Sequence, residues 1–294
     1  MPIVGDYPAA PVGSPVMNEQ PLSEQDQAQK DAWAHSFGGV VDAYDKGRPT
    51  YPAEAAAWLV GQDAATVLEL GAGTGKLTAQ LVGLGHDVLA TDPDQTMLDR
   101  LARNLPEVRT IQASAEDLPL GADAYDVVVA AQAFHWFDLE RALPEIARVL
   151  RPGGHLALVW NTRDESIPWV RRLGRLIGTQ EQLQAPGALA DSELFGEVEE
   201  TTYTHWQQID RRTIQDLVLS RSNVAVLDEE GRAAKLAEVV AFYDDFGRGM
   251  DGMQLPYVTR CFRADVVKDD HGRDTETNGP SDGTDTDTLL IDFR

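Results

Sequence analysis

The residues best suited to chemistry are a carboxylate and three alternating glycines, Glu69, Gly71, Gly73 and Gly75, within the stretch Thr66–Thr78. Glycine at every second place lets backbone N–H groups approach a ligand closely and permits positive φ, which a Cβ would obstruct. A helical pattern from Lys76 to Leu84 follows at once, so the turn also presents a helix N-terminus. Spacing separates the ligands such a turn can take. A dinucleotide fingerprint needs glycine where Lys76 stands. A Walker A loop needs glycine where Leu70 stands and a hydroxyl where Leu77 stands. Both patterns fail. A second carboxylate, Asp92, ends the run Asp87–Thr91, where it can accept hydrogen bonds from two ribose hydroxyls. Capping the next helix is the competing role for Asp92, but Asp94 is available to fill it.

These residues need a scaffold that gathers them, and the alternation of the chain supplies one. Apolar, β-branched runs at Thr66–Leu70, Asp87–Thr91, Val108–Gln112, Asp126–Ala131 and His155–Trp160 read as strands. Amphipathic stretches at about 53–61, Lys76–Leu84 and Gln95–Leu105 read as helices, as does the one carrying Leu139, Leu143, Ile146 and Leu150 on one face. Arg151-Pro152-Gly153-Gly154 is expected to stop that last helix. Short strands alternating with helices predict a doubly wound, mostly parallel α/β sheet with its ligand at the C-terminal ends of the strands. After Trp160 the alternation breaks. Residues 165–190 read as polar and helical, Phe195–Trp206 as strand six, about 211–220 and 229–244 as helices, and Gln254–Arg263 as the last strand. Arg221 lies among those later helices, where a guanidinium suits either an anionic substrate or a solvated helix end. Residues 1–29, with scattered prolines, are expected to be a disordered leader, 30–264 the folded body, and 265–294 an acidic disordered tail.

Five stretches, at 66–78, 90–97, 113–119, 125–138 and 148–160, follow in the order of the class I S-adenosylmethionine (SAM) methyltransferases, which the chain resembles over about 36–264. It is most similar to their small-molecule relatives of the trans-aconitate and ubiquinone-biosynthesis type. The resemblance implies a Rossmann-like sheet of seven strands with helical caps inserted after strands five and six. It implies SAM as cofactor, with Gly71, Gly73 and Gly75 clearing its methionine end, Glu69 serving its ammonium through water and Met97 against the adenine. Ala113-Ser114-Ala115-Glu116-Asp117-Leu118-Pro119 resembles the family's adenine-reading turn. There a backbone N–H near Ala115 and a carboxylate from Glu116 or Asp117 would act. Ala131 and Gln132, at the end of strand four, would pass the ribose and methionine. His135 would be general base or substrate ligand, and Trp136 a pocket wall. The segment Tyr44-x-x-x-Arg48-Pro49-x-Tyr51-Pro52 is similar to one that covers the cofactor in relatives. It places Tyr44 and Arg48 toward the methionine end of SAM, with Arg48 meeting its carboxylate, and Tyr51 toward the substrate. Methyl transfer to a small-molecule acceptor is the implied reaction. A SAM-binding scaffold without catalysis and an NAD(P)-dependent oxidoreductase are the alternatives.

Composition narrows the partners. With 25 Lys and Arg against 48 Asp and Glu the formal charge is −23. That argues against unassisted binding to nucleic acid or an anionic membrane, which relies on basic residues. A cationic or neutral small substrate is easier to reconcile with it. No apolar run of about 18 residues exists to span a membrane. The single Cys261 admits no internal disulfide, which suits a reducing, cytoplasmic setting, and no cluster at metal-ligand spacing stands out.

Overall fold

The computed structural model describes residues 41–178, 185–221, 224, 227–246 and 252–268. The expected leader at 1–29 and the tail beyond 268 lie outside the described residues. The chain opens with α1 (Val41–Gly47) and α2 (Ala53–Val60), joined by an extended segment that Pro49 and Pro52 hold open. It then alternates through β1 (Thr66–Leu70), α3 (Lys76–Gly83), β2 (Asp87–Asp92), α4 (Gln95–Asn104), β3 (Arg109–Gln112), β4 (Tyr125–Ala131), α5 (Leu139–Val149) and β5 (Leu150–Arg163). Next come α6 (Pro168–Ile177), α7 (Ala185–Ala190), β6 (Glu199–Ile209), α8 (Thr213–Leu219), α9 (Glu229–Phe246) and β7 (Met253–Asp265).

The seven strands lie in the order β3-β2-β1-β4-β5-β7-β6. The first five pair in parallel, and β7 runs antiparallel between β5 and β6. The chain runs outward from β1 through β2 to β3 and then crosses back to β4 on the other side of β1. Strand order therefore reverses between β1 and β4, and a crevice opens at their C-terminal ends. That is where the glycine turn leaves β1.

Each face of the sheet has its own core. Leu68, Val128, Leu156 and Phe262 pack with Phe134 and Ile146 on one side. Val67, Val127, Val129 and Ala157 pack with Leu59, Leu77 and Leu81 on the other. A third cluster joins α6, α8 and α9 through Leu173, Ile214, Leu217, Val239 and Phe242 to Ile209 and Leu255 on β6 and β7. These helices form the cap expected after strands five and six. Among the described residues no helix is long and apolar enough to cross a membrane.

Two boundaries differ from expectation for a local reason. The helix before Arg151–Gly154 ends at Val149, but strand five begins at Leu150 and takes that segment in rather than starting at His155. Leu150 pairs with Tyr125 and His155 with Val127, so six residues of β5 oppose three of β4. Pro152 and Gly153, the latter at φ 78°, fit in the resulting bulge. Strand six begins at Glu199, and Phe195 instead makes a single bridge to Val266. The packed body runs past the expected boundary at 264, since Lys268 Nζ donates to the Arg148 carbonyl at 3.1 Å.

Gly47 ends α1 flush against α8: a Cβ there would lie 2.3 Å from the Asp216 carbonyl carbon. Replacing Gly47 with Ala should destabilise the protein by roughly 1–3 kcal/mol and expose 41–52 to protease. Thermal unfolding and limited proteolysis measure both, and an unchanged melting temperature would deny the α1–α8 contact.

Candidate functional site

The turn after β1 is built from left-handed backbone. Gly71, Gly73 and Gly75 have φ of 67°, 57° and 89°, and a Cβ on Gly71 would come 2.5 Å from that of Ala133. Turning this way lets Ala72 N–H bond the Thr91 carbonyl at 2.9 Å and Gly73 N–H bond Asp92 Oδ2 at 2.9 Å. Asp92 Oδ1 accepts from Asp94 N–H at 2.9 Å, and Asp94 caps α4 by accepting from Thr96 N–H. Asp92 is thus fixed by two amides, one from the turn after β1 and one from the loop after β2, with lone pairs left for further donors. Glu69, 1% exposed, accepts from Thr78 Oγ1 at 2.6 Å through one oxygen; its Oε1 is buried with no partner among the described residues.

Burial dominates the protonation of both carboxylates. It pushes Glu69 up to about 8, against the Thr78 hydrogen bond and with help from the Asp92 charge. It pushes Asp92 up to about 6, against the amides of Asp94 and Gly73.

The opposite wall comes from the ends of β4 and β5. Gln132 sits at φ 59°, strained for a non-glycine residue. It is held by its N–H on the Val159 carbonyl and its Nε2 on the Asn161 carbonyl, both at 2.9 Å. Across the top lie α1 and the segment after it. The Arg48 guanidinium stacks 5.3 Å from the Tyr44 ring centre, and its Nη2 donates to the Ser220 carbonyl at 3.0 Å. Arg48 Nε is buried without an acceptor among the described residues. Asp45 ties α1 down, 3.1 Å from Arg100 and 3.9 Å from Lys76, with Asp42 2.8 Å from Arg100.

The cleft so enclosed brings together six of the expected residues: Tyr44, Arg48, Tyr51, Gly71, Ala131 and Gln132. Glu69, Gly73, Gly75 and Asp92 belong to the turn and its hydrogen bonds. Met97 and Ala115 are buried and Asp117 is exposed, none of them lining the cleft. Glu116 Oε1 accepts from Asp138 N–H at 2.9 Å, bracing the loop after β4. His135 and Trp136 sit on a 3-10 turn (Phe134–Trp136), ring centres 4.8 Å apart, outside the cleft lining. Arg221 follows α8 in the cap. Sequence reasoning missed Lys76 and Asn161, which also line the cleft. Asn161 lies near the end of β5, and the strand-end rule that selected Asp92 would have found it.

These features suit SAM. The partnerless Glu69 Oε1 and Arg48 Nε fit an ammonium and a carboxylate, and Asp92 retains capacity for hydroxyls. The cleft leaves about 30 Å³, room for water and not for a nucleoside, so a nucleoside ligand requires it to widen.

The raised carboxylates set a pH dependence. A proton bound more tightly in the fold stabilises it at low pH, and that stabilisation is lost as pH rises through the folded value. For Glu69 the contribution is full below about 4.5 and gone above about 8. Glu69→Gln should therefore flatten the fall in melting temperature between pH 6 and pH 8. An unaltered slope would place the ionisation elsewhere.

Residues 68–158 match the family described as a methyltransferase domain. An uncharacterized methyltransferase of Mycobacterium tuberculosis is 44% identical over 240 residues, 79% of this chain and 96% of the relative. A Schizosaccharomyces pombe methyltransferase, also uncharacterized, is 34% identical over 70% of this chain and 87% of its own length. A solved protein of Anaeromyxobacter dehalogenans, provisionally assigned as a type II methyltransferase, superposes with a TM-score of 0.55 at 27% identity, covering 74% and 97% of the two chains. With this strand order, glycine turn and kinship, the chain belongs to the class I methyltransferases, enzymes that take their methyl group from SAM.

Proposed function

We propose that the enzyme methylates an oxygen or nitrogen atom of a small-molecule acceptor by in-line displacement. The observation that carries this is the Gly73–Asp92–Asp94 hydrogen-bonded unit at the sheet's switch point, beside the buried Glu69. Bound there, SAM supplies a methyl group already activated by the sulfonium charge. The protein's part is then chiefly placement. Asp92 takes the ribose hydroxyls, Glu69 the ammonium through water, and Arg48 the carboxylate. Met97 packs on the adenine while the Ala115 amide and a carboxylate from Glu116 or Asp117 read its edge. Ala131 and Gln132 pass beside the ribose and methionine, and α1 shuts out water.

The acceptor enters from the cap side, walled by Trp136 and Tyr51. His135 removes its proton when the acceptor is a hydroxyl or amine. A carboxylate acceptor needs no base, so dependence on His135 distinguishes acceptor types.

SAM or its demethylated product S-adenosylhomocysteine (SAH) should raise the melting temperature, and NAD should not. Occupancy at 100 times Kd corresponds to about 2.7 kcal/mol. Asp92→Ala should remove most of that shift, and a shift that persists would refute the ribose role. With a hydroxyl or amine acceptor found by labelled-methyl transfer to a metabolite extract, His135→Gln should lower kcat roughly 10²–10⁴-fold with SAM affinity retained. Loss of SAM binding in that variant would make His135 a packing residue.

A further inference from the structure

The extended segment between α1 and α2 contributes Arg48, Pro49 and Tyr51 to the cleft lining. Between them Thr50 is held by the sheet. Asn161, near the end of β5, donates from Nδ2 to the Thr50 carbonyl at 3.0 Å, and its Oδ1 accepts from Thr259 Oγ1 on β7 at 2.6 Å. Asn161 and Thr259 face each other in register across the two strands. His205 on β6 sets its Nδ1 3.1 Å from the same hydroxyl, diagonally across the β6–β7 pair. Two residues along β6, on the same face, Gln207 Nε2 donates to the Gly47 carbonyl at 3.0 Å. The backbone carbonyl of Asn161 meanwhile accepts from Gln132 Nε2 at 2.9 Å, on the wall that β4 supplies. One residue thus ties two walls of the cleft to the sheet.

The hydrogens in this chain of bonds run one way. A carbonyl only accepts, so the Asn161 amide turns Nδ2 to Thr50 and Oδ1 to Thr259. Oδ1 also only accepts, so the Thr259 hydroxyl points its one hydrogen there. His205 Nδ1 then carries the proton that it donates to Thr259 Oγ1. Each member fixes the orientation of the next, and successive bonds polarise one another. Asn161 is 7% exposed and Thr259 not at all. Polar groups buried in a sheet face are unfavourable unless paired, and an apolar pair would pack β5 on β7 equally well. What the polar pair adds is a hold on Thr50, and with it on the neighbours that line the cleft.

We propose that Asn161 and Thr259 are positioning residues of the methyl-transfer site: Thr259 orients the Asn161 amide, and Asn161 pins Thr50 so that Arg48 and Tyr51 keep their places on the cleft. Thr259 is not among the residues that line the cleft, so it acts on a ligand only through Asn161 and the segment that Asn161 holds. The inference rests on the donor placement proposed above, in which Arg48 meets the methionine carboxylate. The hold therefore matters for the methionine end of the ligand and not for its adenosine end.

Calorimetric titration of the full chain with SAH and with adenosine, which lacks the methionine, separates the two ends. Thr259→Val keeps the shape of the side chain and removes the hydroxyl. It should weaken SAH roughly tenfold or more and leave adenosine unweakened. Thr259→Ser, which restores the hydroxyl without the methyl group, should recover the SAH affinity even where the missing methyl lowers the melting temperature. Asn161→Leu breaks the same chain of bonds at its other member and should repeat the pattern, so it decides the matter if Thr259→Val does not fold. In ligand-free protein, amide hydrogen exchange over 48–56 should be faster in Thr259→Val than in the parent or in Thr259→Ser. SAH binding like the parent's in Thr259→Val and Asn161→Leu, adenosine weakened in equal proportion, or unaltered exchange over 48–56 would overturn the positioning role and leave the pair as packing. If SAH fails to bind the parent chain, the donor placement is wrong, and the exchange of 48–56 still decides whether the sheet pins the segment.

Discussion

One carboxylate holds the donor side of this molecule together. Asp92 receives the Gly73 amide through one oxygen and the Asp94 amide through the other, linking the turn after β1 to the end of β2. The Gly73 bond depends on the left-handed glycines of the turn, and the Asp94 bond leads into the cap that starts α4. The Gly73 bond would not form if β1 and β2 were not parallel and in register through Leu70 and Thr91. Burial makes the arrangement electrostatically expensive, as the elevated protonation of Asp92 and Glu69 indicates. A fold that only needed a stable turn would have little reason to bury two acids side by side. A cationic ligand with hydroxyl groups would relieve that tension.

The half of the sheet from β1 to β4 was legible because its signals are local. Thr66–Leu70 reads as a strand from its own composition, and the glycines and Asp94 name their own conformations. Bounded helices such as α4 follow from a one-sided apolar pattern. What the pattern did not show was that β5 starts at Leu150, ahead of the Arg151–Gly154 segment. Leu150 joins the sheet by pairing with Tyr125, a contact between residues about 25 positions apart that no local pattern encodes.

The site divides along the same line. Asp92 and Gln132 were visible because they end strands; Asn161 obeys the same rule, but its strand runs on to Arg163, which hid its place. Thr259 carried no signal, since its meaning lies in Asn161, 98 positions earlier and brought opposite it only by the antiparallel return of β7. His135 shows the converse. Its motif is legible, yet the 3-10 turn sets it beside Trp136 and outside the narrow cleft. Its relation to the chemistry therefore depends on how the cap opens.

Opening is constrained by how the cover is fastened. On one side α1 is joined to α8 by the close seat of Gly47 and by Arg48 on the Ser220 carbonyl. On the other it is held to the sheet domain by ion pairs from Asp42 and Asp45 to Arg100 and Lys76. Backbone packing at van der Waals contact resists separation more than partly solvated ion pairs do. Movement that admits the donor should therefore break the ionic side first and carry α1 with α8 as one piece.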